Sequence, residues 1–159
     1  MGMSQTDAAT AVPADDLLAL DRQLCFALAV ASRTVIGAYK PILEPLELTH
    51  PQYLVMLALW ERAPRSLSDL AEVLRLEPPT LSPLVKRLEA AGLVTRERSA
   101  ADERQLAVRL TDAGTALRAQ AETVPPQVVD ALGVDLDELL ELHARLTAII
   151  QRIAPLSAP

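Results

Sequence analysis

Six cations crowd one short stretch of this chain. Between residues 80 and 110 lie Lys86, Arg87, Arg96, Arg98, Arg104 and Arg109, against Glu89, Glu97, Asp102 and Glu103. That stretch carries +2 in a chain of 159 residues with net charge −6, so the remainder carries −8. Guanidinium and ammonium groups at this density suit a phosphate backbone. An acidic remainder, strongest at Asp130, Asp135, Asp137, Glu138 and Glu141, repels a polyanion elsewhere and orients its docking. A merely solvated charged face would use the same residue types. Other reactive groups are few. Cys25 is the sole cysteine, so no disulfide forms within the chain, in keeping with a reducing compartment. His50 and His143 are the only histidines and stand far apart without a carboxylate–cysteine cluster, so no metal site is expected. Five glycines supply no phosphate loop and no nucleophile elbow. Neither a cofactor nor an enzymatic activity is expected.

The elements that must carry these groups follow from periodicity and end signals. Half the residues are hydrophobic, yet only Phe26, Tyr39, Tyr53 and Trp60 are aromatic. The core is therefore built largely from Leu, Val and Ala, and Leu and Ala favour helix. Leu17, Leu20, Leu24, Leu28 and Ala31 recur every three or four residues and predict a helix over about 16–38. Pro41 marks a break or a new first turn, and Pro45 an end. Thr49 can cap a helix with Pro51 in its first turn and Gln52 completing a capping box. Residues 53–61 are apolar nearly all round, which predicts a central buried helix.

Ser66 and Asp69 open the next helix, with Leu67, Leu70, Ala71 and Leu74 on its apolar stripe. After the turn Arg75-Leu76-Glu77, Pro78 and Pro79 fit the start of a second helix. Its inner face is Leu81, Leu84, Val85 and Leu88, which leaves Thr80, Ser82, Lys86 and Arg87 outside, and Gly92 stops it. Residues 93–98 and 105–110 alternate as strands around a charged loop, with Leu106, Val108 and Leu110 on one face. Thr111 caps a further helix that Pro125 and Pro126 break or bend. Leu136, Leu139, Leu140, Leu142, Leu146, Ile149, Ile150 and Ile153 line a last helix over about 135–153. That stripe is too rich for one domain to cover and predicts a second subunit. Residues 1–14 lack a basic start and an apolar run, which predicts a disordered tail rather than a signal peptide. No stretch is expected to span a membrane, and a cytoplasmic location follows.

The order helix, turn, helix, wing is thus mainly α with a small β-wing. With Asp102-Glu103-Arg104 followed by Leu110-Thr111-x-x-Gly114, it resembles the MarR family of bacterial winged helix-turn-helix regulators. Gln23-Leu24-Cys25-Phe26, Ala31-Ser32-Arg33, Thr49-x-Pro51-Gln52-Tyr53-Leu54 and Leu81-x-Pro83-Leu84-x-Lys86-Arg87-Leu88-Glu89 are most similar to its organic-hydroperoxide-sensing (OhrR) branch. The resemblance implies one domain over 15–159. A DNA-binding lobe would occupy about 48–111, and dimerisation helices about 15–47 and 112–153. It implies a homodimer on a palindromic operator, with recognition helices in successive major grooves and wings at the minor groove. Thr80 and Ser82 would touch bases or phosphates, and Lys86, Arg87, Arg96 and Arg98 phosphates. Arg104 would reach the minor groove, with Asp102 shaping the wing by pairing with Arg104 or nearby backbone. The Glu77-Pro78-Pro79 opening departs from the family and removes two amide donors from the recognition helix.

In that branch a cysteine at this position senses peroxide, so the resemblance implies that Cys25 becomes a sulfenic acid. Further oxidation or capping by a low-molecular-weight thiol would then release the operator. Tyr39 stands where the branch has a tyrosine hydroxyl near the sulfur. Ala29 and His50 replace two others, and His50 could donate a hydrogen bond or, protonated, stabilise the thiolate. The expected function is a transcriptional repressor released by organic hydroperoxide. Two alternatives stand: a repressor answering a small hydrophobic or phenolic ligand with Cys25 structural, and a winged-helix protein-interaction module.

Overall fold

The structure, a computed structural model, describes residues 16–102 and 104–154. The tail expected at 1–14 lies outside the described residues. The chain falls into two compact units, Met1–Val35 and Ile36–Pro159.

In the first unit, Asp16 Oδ1 accepts from the Leu18 amide at 2.9 Å. A 3-10 turn follows at Leu20–Arg22. Gln23 Nε2 donates to the carbonyls of Leu17 at 2.7 Å and Ala19 at 3.2 Å. This local bonding competes with helix. Helix α1 therefore begins at Leu24 and runs Leu24–Leu43, not from residue 16 as periodicity predicts. Pro41 lies inside α1 rather than breaking it. It falls in the last turn, where its ring removes a single backbone bond. A 3-10 turn, Glu44–Leu46, then carries Pro45 at its start. The segment Leu24–Leu46 is long and apolar enough, by length and composition, to cross a bilayer, contrary to expectation. Arg33, Lys40 and Glu44 are its only charges, and its many small apolar residues do not advertise themselves as a continuous run.

The second unit is built around helix α2, His50–Glu61. Its start is the capping box the sequence predicts. The Gln52 amide donates to Thr49 Oγ1 at 3.4 Å, and the Thr49 amide to Gln52 Oε1 at 2.9 Å. Val55, Met56, Ala58 and Leu59 are buried along it. A two-residue strand β1, Arg65–Ser66, leads into α3, Leu67–Leu74, which Ser66 caps. Two residues are too few to show alternation, so β1 has no periodic signal.

Helix α4 spans Pro78–Ala90, and strands β2, Val94–Arg98, and β3, Leu106–Leu110, form the hairpin. The sheet is antiparallel in the order β1-β3-β2. Its register runs from Val94 opposite Leu110 to Arg98 opposite Leu106, with Arg65 opposite Val108. Val94 and Val108 join Leu43, Met56, Leu59, Leu70, Leu81, Val85, Leu88 and Val124 in the core. Of Leu106, Val108 and Leu110, expected on one face, Val108 is buried and Leu106 is exposed, pairing with Arg98 at the loop end of the hairpin.

Helix α5, Asp112–Ala121, is capped by Thr111 and ends before the prolines. Pro125 and Pro126 belong instead to the first turn of a separate helix α6, Val124–Leu132, which buries Val124 and Val128. Gly133 closes α6 in the left-handed region at φ 62°. Helix α7, Leu136–Ile153, has no buried residue. Leu136, Leu140, Leu142, Ile149, Ile150 and Ile153 are all exposed along it.

Candidate nucleic-acid interface

Helix α4 presents Thr80, Lys86 and Arg87 to solvent, with Ser82 half-buried. The inner residues Leu81, Leu84, Val85 and Leu88 are buried, so the two faces divide as the spacing predicts. The N-terminus of α4 offers little to an anion. Pro78 and Pro79 have no amide hydrogen, and the amides of Thr80 and Leu81 both donate to the Glu77 carbonyl, at 2.9 and 3.2 Å. Any contact this end of α4 makes with an anion therefore falls to its side chains.

The wing is a compact hairpin. The Ser99 amide donates to the Gln105 carbonyl at 2.8 Å and the Gln105 amide to the Asp102 carbonyl at 3.0 Å. Asp102 Oδ1 accepts from the Arg104 amide at 3.0 Å, the short-range turn that Asp side chains favour. Of the two expected partners for Asp102, it takes the backbone. Arg98 and Arg104 are exposed, and neither guanidinium enters an ion pair among the described residues. Arg96 differs. Its Nε donates to Glu89 Oε2 at 3.0 Å and its terminal nitrogen lies 2.8 Å from the same oxygen. Hydrogen bonding from Arg96 holds the Glu89 carboxyl below its ordinary range. Arg109 pairs with Glu97 at 3.2 Å on the exposed side of the hairpin.

Beyond the helix cap expected of Thr111, tertiary bonds of Thr111, Trp60 and Arg65 position this surface. Thr111 Oγ1 donates to the Gly92 carbonyl at 2.6 Å and accepts from the Gly114 amide at 3.0 Å. Trp60 Nε1 donates to the Gly114 carbonyl at 2.8 Å. A Cβ on Gly114 would collide with the Leu93 carbonyl oxygen, which is why the Thr111-x-x-Gly114 spacing ends in glycine. Arg65 is only 6% exposed. It donates to the Ala58 carbonyl at 2.9 Å and Asp69 Oδ2 at 2.8 Å, and lies 3.5 Å from Glu61. These bonds join α2, β1 and α3. The Arg65 hydrogen bond, reinforced by Arg62, lowers the Asp69 pKa. A lone arginine before a helix gave no sign of this burial; Ser66-x-x-Asp69 gave only the cap.

Cys25 is an exposed free thiol in α1 and belongs to the first unit. Tyr39 and His50, grouped with it by resemblance, belong to the second unit and do meet each other. Their ring centroids are 4.9 Å apart, edge to face, and Tyr39 also lies 5.9 Å from Tyr53. Burial lowers the His50 pKa and raises that of Tyr39. The same burial disfavours the protonated His50 ring and favours the neutral imidazole. Beside these aromatics a groove of about 290 Å³ is lined by Tyr53, Leu57, Trp60 and Glu61 of α2 and by Arg118, Ala121 and Glu122. Among the described residues no group of His, Cys, Asp or Glu is clustered to hold a metal.

A helix-turn-helix with a cationic wing defines the class: a DNA-binding winged-helix transcriptional regulator. Comparison with known proteins gives the family. The profile described as transcriptional regulator SarA/Rot matches residues 37–120. The HTH-type transcriptional regulator TtmR of Methylorubrum extorquens (strain PA1) is 44% identical over 142 residues, covering 82% of this chain and 73% of its own length. The organic hydroperoxide resistance transcriptional regulator of Bacillus subtilis (strain 168) is 36% identical over 138 residues, covering 87% and 94%. The crystal structure of AbfR of Staphylococcus epidermidis superposes with a TM-score of 0.71 at 35% identity, covering 86% and 94%. AbfR has also been solved bound to DNA in reduced and overoxidised forms. The chain belongs to the SarA/Rot and MarR family of winged-helix transcriptional regulators. TtmR and the Bacillus subtilis relative are transcriptional regulators, not enzymes.

Proposed function

We propose that this chain is a cytoplasmic, homodimeric repressor that leaves a palindromic operator when organic hydroperoxide oxidises Cys25. Residues 48–111 form the DNA lobe in this reading, and 15–47 with 112–153 the dimerisation helices. Thr80, Ser82, Lys86 and Arg87 face the major groove and its phosphates, while Arg98 and Arg104 extend contact along the wing. The unburied apolar length of α7 supports a second copy. The observation that carries the redox reading is Cys25 itself, an exposed and solitary thiol in a chain similar to a hydroperoxide-resistance regulator.

The chemistry proceeds without a second cysteine. The thiolate attacks the peroxide oxygen, giving a sulfenic acid and releasing the alcohol. A small thiol then condenses with the sulfenic acid, forming a mixed disulfide and water. AbfR on DNA in an overoxidised form argues that added oxygen alone need not separate such a regulator from DNA. The bulkier mixed disulfide is therefore the releasing form. Gel shift with cumene hydroperoxide and a small thiol tests this, with release expected for the native chain and none for Cys25→Ser. A second reading rests on the groove beside Trp60: an apolar or phenolic effector binds there and Cys25 is structural. Calorimetric titration with phenols, run without peroxide, distinguishes the two.

A further inference from the structure

One side chain fastens the wing to α4. Glu89, in the last turn of α4, accepts from the Arg96 amide at 3.2 Å through Oε1 and from the Arg96 guanidinium through Oε2. It thus grips both backbone and side chain of one residue. The backbone grip has a topological cause. Strand β2 lies at the edge of the sheet, and the Ser99 amide faces β3, bonding to Gln105. Amides alternate along a strand, so that of Arg96 faces the open edge, where Glu89 meets it. Both side chains are half-buried, unlike the exposed Arg109–Glu97 pair on the same hairpin.

We infer that Glu89 and Arg96 are positioning residues that set the wing against the recognition helix, and that Arg96 does not neutralise a phosphate. The inference rests on the reading of this lobe as the DNA-binding surface. It removes Arg96 from the phosphate contacts that its charge and place in the wing suggest. Turning Arg96 toward DNA would leave the Glu89 carboxylate unpaired beside a polyanion. Arg98 and Arg104 lie further out along the same hairpin, so a change of angle at Arg96 is amplified at both.

The two roles predict opposite signs. Removing an acid beside DNA strengthens binding by electrostatics alone. If Glu89 is the strut, its loss weakens binding. The test uses the full-length chain and a duplex that the native protein itself selects from a random-sequence pool; failure to select any duplex would count against the DNA reading instead. Glu89→Ala is expected to bind about tenfold more weakly at every salt concentration, with an unchanged salt slope. Glu89→Gln, which keeps one acceptor, falls between the two. Arg96→Gln matches Glu89→Ala, and the double variant loses nothing more. Without DNA, hydrogen exchange at the Arg96 amide speeds up in Glu89→Ala, which reads the strut even if DNA binding is lost. Equal or tighter binding by Glu89→Ala overturns the inference. So does an Arg96→Gln slope reduced by the roughly 0.9 of one phosphate contact, or unchanged exchange at Arg96.

Discussion

Trp60 donates from Nε1 to the carbonyl of Gly114 at 2.8 Å, tying the central helix to the first turn of the helix that leaves the wing. Thr111 holds the other side of that turn through the Gly114 amide and the Gly92 carbonyl. The exits of α4 and β3 are thereby fixed to the core. Gly114→Ala tests this joint. In an open helix the change would stabilise by up to about 1 kcal/mol. Here the new methyl meets backbone that cannot step aside, so a net loss of about 3 kcal/mol is expected in urea unfolding. DNA affinity should fall with it.

Asp69 balances Arg65, and that pair should matter more than its exposed neighbour. Arg62 reaches the same Asp69 oxygen at 2.9 Å but is 64% exposed. Asp69→Ala leaves a buried guanidinium with only Glu61 and a carbonyl, and should cost about 2–3 kcal/mol. Arg62→Ala should cost less than about 1 kcal/mol. Chemical denaturation of the two variants side by side gives the comparison; equal losses would mean that Arg65 is not the centre of the cluster.

The wing cations should behave as phosphate contacts. Arg98→Gln and Arg104→Gln each weaken binding most at low salt. Each lowers the slope of log affinity against log salt by about 0.9 if one phosphate is lost. Fluorescence anisotropy between about 50 and 200 mM salt measures it. An Arg104 seated in the minor groove would also change preference among operator sequences.

Acid should destabilise the fold in two stages. His50 has a pKa below 6.5 when folded, so the unfolded chain binds the extra proton and stability rises with pH. That contribution is present above pH 6.5 and is lost progressively below it. Asp69 and Glu89, lowered from 3.8 and 4.5, add a second loss below those values as pH falls through their folded pKa. Melting curves of the native chain and His50→Gln from pH 7.5 to 5 should converge toward the acid end. Parallel curves would contradict the burial of His50.

Signals confined to one turn were legible from sequence. Thr49 with Gln52, Ser66 before Asp69, Thr111 before Gly114, and the split faces of α4 each depend on neighbours within four residues. What failed depended on tertiary partners or on competing local bonds. Gln23 draws two carbonyls away from helix and delays α1, while Pro41 falls late enough to be absorbed. Strand β1 exists only because Val108 and Ala107 lie beside it. For the site, charge placed the wing but could not separate Arg98 from Arg96. That distinction is set by Glu89, seven residues from Arg96 in sequence and met only once β2 folds against α4.

Oxidation of Cys25 is proposed to release DNA. Anisotropy of a labelled operator duplex under organic hydroperoxide with a small thiol, paired with intact-mass readout of Cys25, tests it most directly. Loss of binding in step with the mixed-disulfide mass is expected for the native chain, and undiminished binding for Cys25→Ser. Release of Cys25→Ser by the same treatment, or a fully modified Cys25 that still holds its operator, would contradict it.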